Sequence, residues 1–131
     1  MTNSPVTLVE DQPIPEHDGH LLEVQDLYVD DRVKEYVLDV IGATRDPGAV
    51  GLTDLRPLVE YGASPRAGIF LVRAAKAHAF LAGRGYVTPE DVKALALDTL
   101  RHRVILTYRA DADGVTPDIL LERLLGAVPV P

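Results

Sequence analysis

Residues 61–67 read YGASPRA, and this stretch carries the signals of a helix start. Ser64 suits the N-cap position, because its hydroxyl can accept a hydrogen bond from a backbone N–H that the helix leaves unpaired. Pro65 suits the first helical position, where its missing N–H costs nothing and its φ is already helical. Gly62 allows a close approach of the chain into the cap. The stretch therefore predicts a helix that begins at Pro65 and carries Arg66 on its first turn.

The position of Arg66 favours an anion as its partner. The positive end of a helix dipole disfavours a cation by about 0.3–1 kcal/mol, so a purely structural role gains little from arginine here. A guanidinium beside unpaired N–H groups suits a phosphate. Arg66 is therefore the main candidate for a binding residue, with Ser64 and Pro65 beside it. Tyr61 is either a contact to the base or sugar of a nucleotide, or a hydrophobic staple that packs the helix entry.

The helix from Pro65 is predicted to run to about residue 82 and to be the longest of the chain. Its predicted apolar face consists of Ala67, Leu71, Ala74, Ala75, His78, Leu81 and Ala82. His78 within this face is interpreted as a packed neutral histidine. Arg73 lies one heptad after Arg66 and is either a second contact to phosphate or to a neighbouring subunit, or a solvated side chain.

The rest of the chain is predicted to fold as helices around this one. An earlier helix starts at Asp30 or Asp31 and buries Val33, Tyr36, Val37, Val40, Ile41 and Thr44. TPED at 88–91 and TPD at 116–118 each combine an N-cap threonine with proline at the first helical position. Segment 104–108 is expected to be extended, and whether it pairs is left open. The fold class is all-α: a small bundle of four to five helices with at most one or two very short strands.

Residues 1–20 contain prolines and acids without a sustained period, and they predict a flexible lead-in or linker before one helical domain at 21–131. His17 and His20 lack a third ligand, so no metal site is predicted.

Composition narrows the class of protein further. The net charge of −7 argues against nucleic-acid binding, and no apolar run approaches the ~20 residues that cross a membrane. The chain has no cysteine, which excludes disulfides and thiolate metal sites and fits a cytoplasmic protein.

Catalytic motifs are absent from the sequence. A nucleotide hydrolase needs a GxxxxGK[ST] loop and acidic residues for Mg²⁺, but none of Lys34, Lys76 and Lys93 follows a glycine. No GxSxG or HExxH motif occurs either. This chain alone is therefore not expected to be an ATPase.

The run from Gly62 to Arg103, GASPRAGIFLVRAAKAHAFLAGRGYVTPEDVKALALDTLRHR, resembles the C-terminal helical lid of MoxR-type AAA+ ATPases. VLDVIGATR at 37–45 and VPVP at 128–131 also fit the pattern of that family, so the resemblance covers roughly residues 21–131. Its most specific part is GASPRA followed by YVTPEDV at 86–92. The ATPase subunits of magnesium chelatase share much of it.

The resemblance implies a function. Arg66 matches the sensor-2 arginine, which contacts the nucleotide phosphates from the lid side. ATP with Mg²⁺ would be held by an AAA+ core domain on the same or another chain, and no cofactor is expected in this chain alone. Family members form homo-oligomeric, typically hexameric, rings that act as chaperone-like remodellers or help to insert metal cofactors. The client protein is not indicated.

An alternative interpretation is a stand-alone acidic helical module for protein interaction, without a nucleotide role. The lid interpretation predicts that Arg66 faces solvent without an ion-pair partner, whereas the module predicts that it lies in an internal salt bridge. Isolated, the lid should bind ATP weakly or undetectably.

Overall fold

The computed structural model describes residues 23–131 and, before them, only the backbone of strands β1 (Glu16–His17) and β2 (His20–Leu21), which pair antiparallel. Most of the predicted lead-in at 1–20 lies outside the described residues. Five α-helices follow: α1 (Asp31–Arg45), α2 (Pro65–Leu81), α3 (Pro89–Leu100), α4 (Tyr108–Ala112) and α5 (Pro117–Ala127). The predicted all-α class is confirmed.

Helix α1 forms as its sequence predicts. Asp30 is the N-cap, and its carboxylate accepts a hydrogen bond from the N–H of Arg32. The predicted inner face is confirmed, because all six of its members are buried, together with Ala43.

Helices α2 and α3 pack extensively on each other; both also contact α1, and α3 contacts α5. Pro65 opens α2, and Gly83 follows its end in the left-handed region with φ of 80°. In α3, the N–H of Thr88 donates to the Asp91 carboxylate at 2.7 Å, which confirms the predicted helix start. The core between the helices is made of aliphatic side chains, including Val40, Leu71 and Val92, which are fully buried.

The C-terminal part of the predicted α2 face is wrong. Leu81 is 56% exposed, and the His78 side chain is 45% exposed rather than packed among apolar groups. Ala79 and Phe80 are buried instead. The buried stripe drifts around the helix because its first turns pack on α1 and its last turns on α3.

The short sheet before α2 is only partly predicted by the sequence, which indicates its second strand but not its first. Strand β3 (Val59–Tyr61) pairs antiparallel with β4 (Ile105–Leu106), which answers the open question of whether segment 104–108 pairs. The N–H of Thr107 extends this pairing by donating to the carbonyl oxygen of Leu58 at 2.8 Å. The short helix α4 follows this pairing directly and ends before Gly114, which has φ of 73°.

Within residues 23–131, no helix combines the length and apolar character that crossing a membrane requires.

Candidate functional site

The candidate site is the N-terminal end of α2. Ser64 occupies the N-cap position with extended backbone, and Pro65 is the first helical residue, as predicted. The predicted side-chain cap is wrong, because the Ser64 hydroxyl accepts no hydrogen bond from the helix. The backbone closes the turn instead, since the N–H of Ala67 donates to the Ser64 carbonyl oxygen at 2.9 Å. The exposed hydroxyl of Ser64 therefore remains available at the helix tip.

The stretch before the helix sits directly on the C-terminal end of α1. A Cβ added to Gly62 would lie 2.6 Å from the backbone N and Cα of Arg45 and from the backbone C of Thr44. With contacts this short, any side chain at position 62 would force one of the two backbone segments to move. Gly62 is thus required by the close approach of two backbone segments.

A buried hydrogen bond fixes the same junction. The Thr44 hydroxyl accepts from the N–H of Ala63 at 2.9 Å and donates to the carbonyl oxygen of Ile41 at 2.6 Å. Thr44 and Ala63 are both completely buried, so the bond is shielded from water. The start of α2 is therefore rigidly positioned relative to α1.

Arg66 emerges from this fixed base into solvent. It is exposed, as are Ser64 and Pro65. Its guanidinium forms no salt bridge and no hydrogen bond with any residue in the described part of the chain. An arginine that is fixed at its base and unpaired at its tip can bind an anion from outside the domain.

The other candidates for nucleotide contact lie at different places. Tyr61 is in β3 opposite Ile105 and is 63% exposed, so the hydrophobic-staple interpretation is wrong. Arg73 is exposed two turns along α2 and lines a groove between α2 and α1. Arg73 forms no ion pair within residues 23–131.

Arg84, three residues beyond α2, is neutralised inside the domain. Its guanidinium donates to both oxygens of Asp91, at 2.8 and 2.6 Å, and Asp91 also accepts from Thr88 and contacts His78 Nδ1 at 2.7 Å. Burial alone would raise the pKa of the Asp91 carboxyl, but the hydrogen bonds from Arg84, Thr88 and His78 outweigh it and hold that pKa well below its usual range. Asp91 in turn raises the pKa of Arg84. This cluster joins α2 to α3 and leaves Arg84 with no capacity for a phosphate.

Sequence reasoning missed Thr44 as a positioning residue, because it was assigned only to the buried face of α1. Its signal was a hydroxyl on an otherwise apolar face, in the last turn of the helix. A buried hydroxyl needs a partner, and that partner is the stretch before Pro65. Among the described residues, no group of three or more His, Asp or Glu side chains is placed to hold a metal ion.

Comparisons with known proteins identify the family of the chain. The family model described as an AAA lid domain matches residues 52–124. The chain is 41% identical over 117 residues to the chaperone MoxR1 of Mycobacterium tuberculosis, covering 86% of this chain and 31% of that protein. It is 36% identical over 105 residues to the protein MoxR of Paracoccus denitrificans, covering 76% of this chain and 31% of that protein.

A solved structure is similar as well. A crystal structure at 2.00 Å of an ATPase candidate from Cytophaga hutchinsonii superposes with a TM-score of 0.80 at 39% identity. The match covers 82% of this chain and 33% of that one. The chain thus spans about a third of the length of the relatives that it matches.

Proposed function

The chain belongs to the AAA lid domain family, in its MoxR-type branch, and from this membership we propose that it closes over ATP bound by a separate AAA+ core domain. Arg66 then acts as the sensor-2 residue and contacts the terminal phosphate. Ser64 and Pro65 form the helix tip around that contact, and Tyr61 lies beside it as a weaker candidate.

One observation carries the proposal. Arg66 is exposed on the first turn of α2 and has no ion-pair partner in the described residues, while the stretch that bears it is clamped to α1 through Gly62 and Thr44. The alternative of a stand-alone interaction module predicts an internal salt bridge for Arg66, but Arg66 forms no salt bridge with any residue in 23–131. The geometry therefore favours a partner that comes from another domain.

The energy of such a contact is sufficient for a switch. A charge-assisted hydrogen bond to a phosphate contributes about 1.5–3 kcal/mol, and a bidentate arginine reaches the upper part of that range. A contact made with ATP and lost with ADP shifts the balance between closed and open lid about tenfold or more. Hydrolysis would thereby release the lid from the core.

The assembly around the lid is part of the same proposal. The core supplies Mg²⁺, the phosphate-binding loop and the attacking water. Core and lid together form a homo-oligomeric ring, of hexameric type, in the cytoplasm. Its ATPase cycle drives chaperone-like remodelling or metal-cofactor insertion in a client protein.

The proposal is tested by ATP turnover in a protein that joins a MoxR-type core to this chain. Arg66→Ala should lower the turnover rate about tenfold or more, because it removes the contact to the terminal phosphate. Arg66→Lys should recover only part of the rate, since an ammonium keeps the charge but loses the bidentate geometry.

Arg109→Ala is the matched control, because Arg109 is 68% exposed on α4 and, unlike Arg66, pairs with a carboxylate of its own domain, that of Asp113. Its rate should equal that of the unchanged protein. Equal rates for Arg66→Ala and Arg109→Ala, with both variants folded, would remove Arg66 from this role.

A further inference from the structure

An apolar groove of about 360 Å³ runs between α1 and α2 on the surface of the domain. Leu38 on α1 and Ile69 on α2 line it and are 60% and 55% exposed. Val72 completes its apolar wall, and at Gly68 an added Cβ would lie 3.6 Å from a side-chain carbon of Val37 and 3.7 Å from one of Ile41. Two large aliphatic side chains that face each other across a groove in water are typical of a docking surface.

Three cations surround this groove: Lys34, Arg73 and Lys76. None of them forms an ion pair with an acid in residues 23–131, and Lys76 Nζ donates only to the carbonyl oxygen of Gln25, at 3.3 Å.

Cations outside the groove are more often paired, although Arg45, Arg66, Lys93 and Arg103 also form no salt bridge within residues 23–131. Six of the ten arginines form salt bridges with carboxylates among the described residues: Arg32, Arg56, Arg84, Arg101, Arg109 and Arg123. The chain as a whole carries a charge of −7, so carboxylates are in excess. The groove is therefore bordered by cations that have no carboxylate partner within residues 23–131, and such cations favour an acidic ligand.

We propose that this groove binds an acidic amphipathic helix of a partner protein. Its apolar side would pack against Leu38, Ile69 and Val72, and its glutamates or aspartates would pair with the cations on either side. The α2 wall extends from Pro65 to Lys76, which corresponds to about 17 Å or three helical turns. A partner helix of about three turns would therefore match the length of the groove.

The charges argue against two other occupants. A second copy of this chain, with its own net charge of −7, and an extended anionic membrane would both meet the net negative charge of the whole domain, whereas a short acidic helix would meet mainly the cations at the groove. The groove begins at Pro65, next to the candidate site, but does not include Arg66, so the variants that test it leave Arg66 unchanged.

The inference is tested with the full chain and a fluorescein-labelled model peptide of about 18 residues, long enough to be helical. The peptide carries leucines at helical spacing on one side and glutamates on the other, and a matched peptide carries lysines in place of the glutamates. Fluorescence anisotropy should show binding of the acidic peptide only, weakening as salt is added. Leu38→Glu and the double variant Arg73→Glu, Lys76→Glu should each weaken binding about tenfold or more.

Matched controls are available on other helices. Ile119→Glu changes an aliphatic residue on α5 that is 42% exposed, and Lys93→Glu reverses a cation on α3. Neither should change the affinity. Because Leu38 is mostly exposed, Leu38→Glu should leave the thermal unfolding curve unchanged, so that lost binding reports on the surface and not on folding.

Several results would overturn the inference. These are absence of binding by the acidic peptide, equal binding by the basic peptide, or an unchanged affinity in Leu38→Glu. Self-association of the chain that Leu38→Glu abolishes would identify a second copy as the occupant instead. Binding to vesicles of phosphatidylserine that depends on the same residues would identify a membrane.

Discussion

Arg66 and Arg84 lie near opposite ends of α2, and their surroundings differ in kind. Arg84 meets a fully buried carboxylate and is neutralised by it, whereas Arg66 meets no acid in residues 23–131. Sequence reasoning singled out Arg66 as the candidate for a phosphate contact, and that role remains a proposal. It could not foresee the partner of Arg84, because a capping acid is normally exposed and nothing in the local spacing shows that Asp91 is buried.

A prediction at the residue scale concerns Gly62→Ala. The added methyl group would lie 2.6 Å from backbone atoms of α1, which cannot move aside as a flexible side chain would. We expect the variant to lower the free energy of unfolding by about 1–3 kcal/mol, measured by urea denaturation.

Gly42→Ala is the matched control for this change. Position 42 lies within α1 and has no heavy atom within 4 Å of an added Cβ. Alanine there should raise the free energy of unfolding by about 0.5–1 kcal/mol, because it favours the helix. Equal stability of Gly62→Ala and the unchanged protein would show that the junction with α1 is looser than described.

At the scale of elements, the helices with strong start signals were predictable and the short elements between them were not. The proline-started helices α2, α3 and α5 begin where their cap residues indicate. Strand β3 and helix α4 were missed because three to five residues carry too little periodicity. Their conformation follows from tertiary pairing, through the bonds that Thr107 and Leu106 make with the segment at 57–59.

A prediction at this scale concerns the joint between α2 and α3. Asp91→Asn should lower the free energy of unfolding by about 2–3 kcal/mol at pH 7, because it removes a buried charge that Arg84, Thr88 and His78 contact. Asp98→Asn is the control: its carboxylate is 72% exposed, and the change should stay within about 0.5 kcal/mol.

The pH dependence of the stability of the unchanged chain and of Asp91→Asn follows from the pKa of the Asp91 carboxyl. The folded state lowers this pKa, so the stabilisation by Asp91 is present above about pH 4, the ordinary range of aspartate, and is lost as the pH falls below it. Urea denaturation from pH 5 to pH 2 should therefore show a shallower loss of stability in Asp91→Asn than in the unchanged chain. Identical slopes would mean that Asp91 is not held in its charged form.

At the scale of the whole molecule, the proposed function gives this domain one wall of a nucleotide site, with the rest supplied by the core domain. A single exposed arginine is a small part of a phosphate site, so the isolated chain is expected to bind ATP weakly or undetectably by calorimetry. The helical class and the position of Arg66 at a helix tip followed from sequence, because caps, prolines and apolar spacing are local signals. The clamp that holds this tip did not, since it joins residues 44 and 63 through a tertiary contact.

The most direct measurement of the central claim is the affinity for ATP and for ADP of a MoxR-type core joined to this lid, with and without Arg66→Ala. If Arg66 contacts the terminal phosphate, the variant should bind ATP about tenfold or more weakly, while its affinity for ADP stays nearly unchanged. An equal effect on both nucleotides, or no effect on either, in a folded variant would contradict the assignment of Arg66 as the phosphate sensor.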